Sequence, residues 1–257
     1  MTYAFRLHSF RLGHLAVVCG LSMTLGACAA GDNAMNMSAV TDASRPSADQ
    51  ARDVDRKPGK MLAFARVMPG ETVVDFLPGK GYFTRLFSTA VGAAGTVYAV
   101  TPQLYVDSHK GAVLPSIAAE PGHGNVRDVV AANDSLNLPV QADLVWTSQN
   151  YHDVHVWGGP EAAAALNRAV FAALKPGGLY VVLDHMGPAG IDEAGIKKLH
   201  RIDKATVIRE VEAAGFEPDG ESDVLRNPAD PHTAIVFDPA IRGKTDQFLL
   251  RFRKPRR

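Results

Sequence analysis

The sequence predicts an α/β domain built around a mostly parallel sheet. Three observations carry that expectation: short β-rich runs alternate with helical stretches, glycine and proline punctuate the ends of those stretches, and a turn with paired glycines joins the first strand to its helix. The 257 residues suffice for one large domain or two small ones. No interior linker divides the body, so one domain is expected over 47–257.

Taken in order, Ser47 is suited to cap a short helical preamble, and Pro58 opens a second helix through Met61, Leu62 and Phe64 that Pro69-Gly70 breaks. Val73, Val74 and Phe76 make 72–76 the first strand, and 82–91 reads as a helix closed by Gly92 and Gly95. Strands follow at 96–100, 125–131 and 142–147, with a broken helical region at 103–119 between the first two. A helix over 161–174 stops at Lys175-Pro176-Gly177-Gly178, a strand occupies 179–183, and a helix over 204–214 stops at Gly215. Strand-like runs near Phe216, at 234–237 and at 248–252 complete the pattern.

Composition narrows the function classes. Hydrophobic residues at 46% and charged residues at 21% match a globular chain rather than a disordered or coiled-coil one. Twenty-seven Lys and Arg balance 27 Asp and Glu, and setting aside the first 27 residues removes two arginines and no acid. The remainder is slightly acidic, so no global field points at nucleic acid. The basic end, from Arg251 through Arg257, reads as a strand edge and a solvated tail.

The amino terminus reads as an address. Arg6, His8, Arg11 and His14 precede an apolar run over 15–27, and 13 residues fall short of the about 20 a membrane-spanning helix needs. Residues 1–27 are therefore expected to be a signal peptide. Its end, Leu25-Gly26-Ala27-Cys28, resembles the lipobox of bacterial lipoproteins, which implies acylation of Cys28 and anchoring to a membrane. Ala29, standing where an Asp would signal inner-membrane retention, implies the outer membrane. Cys19 and Cys28 are the only cysteines, so the mature domain would hold no disulfide. Residues 28–46 are small and polar and read as a flexible tether on the order of 25 Å in reach, which places the domain in the periplasm.

The strand 72–76 runs into Leu77-Pro78-Gly79-Lys80-Gly81 and then a helix, an arrangement that lets a ligand approach backbone at a helix N-terminus. The stretch VVDFLPGKGYFTRLFSTAVGAAGTVYAVTP resembles the first motif and second strand of class I S-adenosylmethionine-dependent methyltransferases. NDSLNLP after the third strand, ADLVWTSQNYHD at the fourth and ALKPGGLYVVLDH at the fifth fit the same frame. Within that superfamily the chain is most similar to exported bacterial methyltransferases with PGxGYFT, NYHD and LHRID segments.

The resemblance spans 47–257. It implies a Rossmann-like methyltransferase fold, with a mostly parallel seven-stranded sheet, helices on both faces and an antiparallel C-terminal strand, and S-adenosyl-L-methionine as cofactor. Carried over by position, Asp75 would orient the loop and face the amino-acid end of the cofactor, and Gly79 and Gly81 would let backbone meet it. Asp134 would reach the adenine edge, and Asn150 joins the cofactor-binding set. Leu77 stands where the family has its first glycine. Thr101-Pro102 replaces the acid that holds the ribose hydroxyls, and Gln103 would take over one of its bonds.

Parallel sheets bind ligands outside the carboxyl ends of their strands, and there the chain concentrates polar chemistry. Gln149, Asn150, Tyr151, His152, Asp153 and His155 follow the fourth strand, Asp184 and His185 the fifth, and His200, Arg201 and Asp203 come later. Methyl transfer needs alignment and, for an O–H or N–H acceptor, removal of a proton, which suits a histidine. His152 is the expected base with Asp153 or a backbone carbonyl orienting it, and His185 the second base or substrate ligand. Asp203 reads as a helix N-cap and Trp157 as a packing residue.

These readings lead to an exported, lipid-anchored methyltransferase acting on a small-molecule or envelope-derived acceptor, with no nucleic-acid partner. Two alternatives stand beside it. Leu77 and the missing ribose acid suit a methyltransferase-like fold kept as a ligand-binding module. His152, His155 and His185 with Asp184 would supply a metal-assisted hydrolase, although no HExxH or paired CxxC spacing is present and no metal is assigned.

Overall fold

The computed structural model describes residues 1–2, 36–132 and 134–256. The expected signal peptide beyond its first two residues, Cys28, and the tether up to residue 35 lie outside the described residues. Residues 36–41 are helical, and this part of the expected tether is docked rather than loose: Ala39 is fully buried and the Arg45 guanidinium donates to both carboxylate oxygens of Asp53 at 2.7 and 2.8 Å. Ala39 and Val40 are the apolar residues that pack there, too few to set an apolar period. No described helix is long and apolar enough to cross a membrane.

Three short helices open the domain: α1 (Ser47–Gln50), α2 (Asp53–Arg56) and α3 (Pro58–Ala65), with Pro58 in the first turn of α3. Then come β1 (Thr72–Phe76), α4 (Tyr82–Val91), β2 (Thr96–Pro102), α5 (Gln103–Ser108), β3 (Val126–Ala131) and β4 (Ala142–Ser148). The second half holds α6 (Tyr151–Ala173), β5 (Leu174–His185), α7 (Glu193–Leu199), α8 (Lys204–Ala213), β6 (Glu217–Ser222) and β7 (Gln247–Arg253). The expected strand at 234–237 does not form, because Ile235 and Phe237 are exposed and the run lies inside a long connection with no strand beside it.

The seven strands form one sheet in the order β3-β2-β1-β4-β5-β7-β6. Pairings from β3 to β5 are parallel, while β7 runs antiparallel to both β5 and β6. Strands covered on both faces carry apolar residues at successive positions, and alternation sends neighbours to opposite sides. Val73, Val97, Leu144 and Trp146 pack with Met61, Leu62 and Phe87 of α3 and α4 on one face. Val74, Val100, Val145 and Val182 pack with Leu166 and Val170 of α6 and Val207 of α8 on the other. Trp146 lies 4.7 Å from Phe83 and 5.6 Å from Phe87, ring centre to ring centre, which seats α4 on β4.

Two features bring chemistry to the carboxyl edge. Helix α6 starts at Tyr151 and bends at Gly159, whose φ of 69° and ψ of −169° interrupt it before Pro160. Residues 151–158, expected as loop, therefore form a helical turn that fixes His152 and Asp153. The connection 223–246 between β6 and β7 returns over the same edge. Arg201, fully buried, anchors that connection by donating to Ala234 O at 2.9 Å and pairing with Asp230 at 2.9 Å. Replacing Arg201 with Met should strand Asp230 as a buried uncompensated charge and cost about 3–5 kcal/mol; urea denaturation measures this, and a further Asp230→Asn change should recover part of the loss.

Candidate functional site

A cleft of about 550 Å³ opens at the carboxyl ends of β1, β4 and β5. One wall is the β1–α4 turn with Asp75, Leu77, Gly79 and Lys80; a second is the end of β4 with Ser148 and Gln149; and His185 stands at the end of β5. Arg52 and Arg56 close it from the N-terminal helices, and Leu225, Phe237 and Arg242 close it from the β6–β7 connection.

Leu77 and Gln149 both line this cleft in the left-handed region, at φ of 57° and 61°. That conformation costs a side-chain-bearing residue about 1 kcal/mol, so neighbours must hold it. Leu77 N donates to Val100 O at 2.8 Å and Gln149 N to Leu183 O at 2.7 Å. Asn150 completes the restraint: its Nδ2 donates to Phe76 O at 3.2 Å and Leu77 O at 3.1 Å, and its Oδ1 accepts from Thr147 Oγ1. Asn150, expected among the cofactor ligands, is thus spent on fastening β4 to the β1 turn.

The sequence-chosen residues divide sharply. Asp75, Gly79 and His185 line the cleft. Gly81 does not line it; a Cβ there would overlap the Ile117 side chain, so the absent side chain serves packing of the 110–125 connection onto α4. Gln103 donates to Asp107 at 2.8 Å on the far side of β2, and Asp134 is exposed beyond β3; neither reaches the cleft. The side of the β1 turn facing β2 and β3 is filled by Leu104, Leu136 and Val154, leaving about 10 Å³, room for one water at most.

His152 and Asp153 lie behind the cleft wall. His152 Nδ1 is 2.7 Å from Asp184 Oδ1, its backbone N–H donates to Asp184 Oδ2 at 2.8 Å, and Nε2 stands 3.3 Å from Asp153 Oδ1. Burial opposes its charge, but Asp184 and Asp153 outweigh burial and push His152 up to about 10. A buried imidazole that keeps its proton at neutral pH is not a base for a ligand in the cleft, so the expected role of His152 passes elsewhere. Burial pushes His185 the other way, down to about 3, so its ring is neutral at physiological pH. Nδ1 of His185 meets Thr245 Oγ1 at 2.7 Å, and Nε2 has no partner among the described residues. His155 is spent on Glu193 at 2.9 Å and Glu210 at 3.1 Å, away from the cleft.

Sequence reasoning missed the cationic wall. Arg52, Arg56, Lys80 and Arg242 line the cleft and none makes an ion pair among the described residues, whereas Asp55 and Asp75 are the acids there. Arg56 packs 4.7 Å over the Tyr82 ring, donates to Gln149 Oε1 at 2.8 Å, and is pushed down to about 10 by burial. Gln149 in turn donates to Gln247 Oε1 at 2.9 Å, so β4, β7 and α2 meet across the cleft. Ser148 Oγ is buried without a partner among the described residues. No motif signals these residues, because Arg52 and Arg56 precede the sheet and Arg242 and Gln247 lie about 170 residues beyond the first turn.

Asp75 accepts from Thr84 Oγ1 at 2.7 Å, and burial raises it to about 7. An acid raised above its unfolded value makes the folded state hold more protons between the two, so stability is lost as pH rises from about 4 to about 7. Asp75→Asn should match the wild type below about pH 4 and exceed it above pH 7 in denaturant titrations. Gly81→Ala should destabilise by about 1–3 kcal/mol with or without ligand, from the overlap and from the left-handed φ of 80° together, and an added Ile117→Ala should relieve the overlap but not the backbone strain.

No protein-family model and no curated protein sequence matches the chain. Among solved structures it is similar to a SAM-dependent methyltransferase from Aquifex aeolicus, with a TM-score of 0.52, 18% identity and coverage of 84% of this chain and 97% of the other. It is similar as well to a putative sarcosine dimethylglycine methyltransferase from Galdieria sulphuraria, with a TM-score of 0.52, 13% identity and coverage of 79% and 85%. The [4+2]-cyclase SpnF matches with a TM-score of 0.51, 18% identity and coverage of 81% and 82%. The seven-stranded sheet, its single antiparallel reversal at β7 and these neighbours make the fold that of the class I SAM-dependent methyltransferases.

Proposed function

We propose that the protein is an S-adenosylmethionine-dependent methyltransferase acting on a small anionic acceptor, exported and held at a membrane through an acylated Cys28 with its domain in the periplasm. The observation that carries the transferase reading is the cleft at the carboxyl ends of β1, β4 and β5, where Asp75 and the Arg56 guanidinium lie close enough to affect each other's charge. A carboxylate beside a guanidinium suits the ammonium and carboxylate of an amino acid, and the unpartnered Ser148 hydroxyl offers one more bond. These residues fit the amino-acid half of the cofactor. When bound, the cofactor supplies a methyl group already activated on a sulfonium.

The chain's own groups do the remainder. His185, neutral and with Nε2 free of protein partners, accepts a hydrogen bond from an acceptor O–H or N–H; its low basicity suits orienting that group more than stripping it. Arg52, Lys80 and Arg242 draw an acceptor bearing a carboxylate or phosphate, and Phe237 and Leu225 give the cleft an apolar surface on the side of the β6–β7 connection. The anchoring reading rests on the charged-then-apolar start and the Leu25-Gly26-Ala27-Cys28 sequence.

One observation favours a second reading, a ligand-binding module without transfer: the side of the β1 turn where a nucleoside would extend is filled by Leu104 and Leu136. The similar [4+2]-cyclase is a reminder that one fold hosts unrelated chemistry. Calorimetry with S-adenosylmethionine and with methionine separates the readings. The transferase reading expects heat with S-adenosylmethionine, a loss of tenfold or more in Asp75→Asn, and tighter binding in Leu104→Ala. Heat with methionine alone would select the module. Cys28→Ser should shift the protein from the membrane to the soluble fraction, and unchanged fractionation would remove the anchor.

A further inference from the structure

The most tightly organised polar cluster lies beside the cleft rather than in it. His152, Asp153 and His200 converge, with one ligand atom from each lying within 4.8 Å of the other two. Asp153 Oδ1 is 3.3 Å from His152 Nε2 and 3.1 Å from His200 Nδ1. We propose that these three side chains form a binding site for a divalent transition cation of the zinc class, a two-histidine, one-carboxylate set with an open side. The inference is independent of the transferase reading.

The spacing is the first argument. Nitrogen and oxygen ligands sit about 2.0–2.1 Å from zinc, so two of them are about 3.4 Å apart at a tetrahedral angle and about 2.9 Å apart at a right angle. Both separations from Asp153 fall in that interval, and the two histidine nitrogens lie within 4.8 Å of each other. The contact from His152 Nε2, at 3.3 Å, is longer than the about 2.7–2.9 Å of a charge-assisted hydrogen bond. A ring nitrogen buried to 2% exposure thus points at a carboxylate and a second imidazole without a hydrogen bond of that kind.

The surroundings are those of a ligand set. His152 Nδ1 meets Asp184 Oδ1 at 2.7 Å, which keeps one proton on Nδ1, so a cation binding at Nε2 beside Asp153 and His200 displaces only the second ring proton. Asp184 is itself held by the backbone N–H groups of His152 and His185, at 2.8 and 2.7 Å, so the orienting carboxylate cannot swing away. His200 is the left-handed cap of α7 at φ 53°, a conformation that costs about 1 kcal/mol, and its ring packs at a tilt 4.9 Å from Phe237. Two carboxylates surround two imidazoles, a charge balance that a dication completes.

The site also has access. The Asp153 and His200 side chains keep 20% and 23% of their exposure, so three protein ligands leave a position for water or a substrate atom. Phe237, packed at a tilt against His200, and His185, 5.7 Å from the His152 ring, both line the cleft, which puts the open side next to it. The sequence suggested a different set. His155 is excluded by its bonds to Glu193 and Glu210, and His185 does not belong to the converging group.

The test is a cobalt(II) and zinc(II) titration of the full chain after chelator treatment, read by metal content after desalting, by the visible spectrum of the cobalt form and by the melting temperature. One equivalent of metal, a cobalt band in the visible and a higher melting temperature are expected. His200→Asn tolerates the left-handed backbone and should lose at least tenfold in affinity, as should Asp153→Asn. Asp184→Asn should lose about 10–100-fold through misorientation of His152, and His155→Asn should bind as the wild type does. Circular dichroism of each variant establishes that it folds. No metal taken up at micromolar concentration, or equal uptake by folded His200→Asn and Asp153→Asn, would overturn the proposal.

Discussion

Asp184 organises the chemistry of this protein. It ends β5 with no solvent exposure, and three donors converge on it: the backbone N–H groups of His152 and His185 and the His152 ring. A carboxylate without water must be satisfied by protein groups, and here those groups belong to the start of α6 and to the strand end itself. The N-terminus of α6 presents free backbone N–H groups and a positive dipole end, so the carboxylate suits both. Because Asp184 cannot move, His152 and His185 are held with their rings 5.7 Å apart, one turned toward the cleft and one away from it.

That division explains how adjacent histidines on one edge acquire opposite character. His152 faces two carboxylates and is pushed up; His185 faces burial and a hydroxyl and is pushed down. The cleft therefore meets its ligand with a neutral imidazole, a buried carboxylate and a row of cations, while the charged histidine network stays behind the wall. Two of the left-handed residues other than glycine lie on the same edge. Leu77 and Gln149 are both left-handed, and Asn150 with the neighbouring strands restrains them, as expected where backbone must be aimed at a ligand.

The domain's outer parts serve that edge. Arg85 joins Asp49 and Glu120 and donates to Lys80 O at 2.9 Å, so the N-terminal helices and the 110–125 connection both brace the glycine turn. Arg201 and Asp230 do the same for the β6–β7 connection, which carries Phe237 and Arg242 to the cleft. Buried arginines of this kind stabilise little by themselves once desolvation is counted. What they supply is position for segments that contain little secondary structure.

The sequence by itself determined the sheet and its helices, because strands covered on both sides must be apolar throughout and helices must end where glycine relieves the backbone. Strand β1 and helix α4 lie at the residues that Val73, Val74, Gly81 and Gly92 marked for them. It pointed to Asp75, Gly79 and His185 as cleft residues for the same local reason, since strand ends in a parallel sheet share one edge. Tertiary structure alone decided which polar residues meet. Gly81 answers to Ile117, Asn150 to Leu77 and His155 to two glutamates, and Arg56 and Gln247, far apart in the chain, line one cleft. Those pairings depend on which side chains cross a few ångströms of space once helices dock, and linear spacing carries no record of that distance.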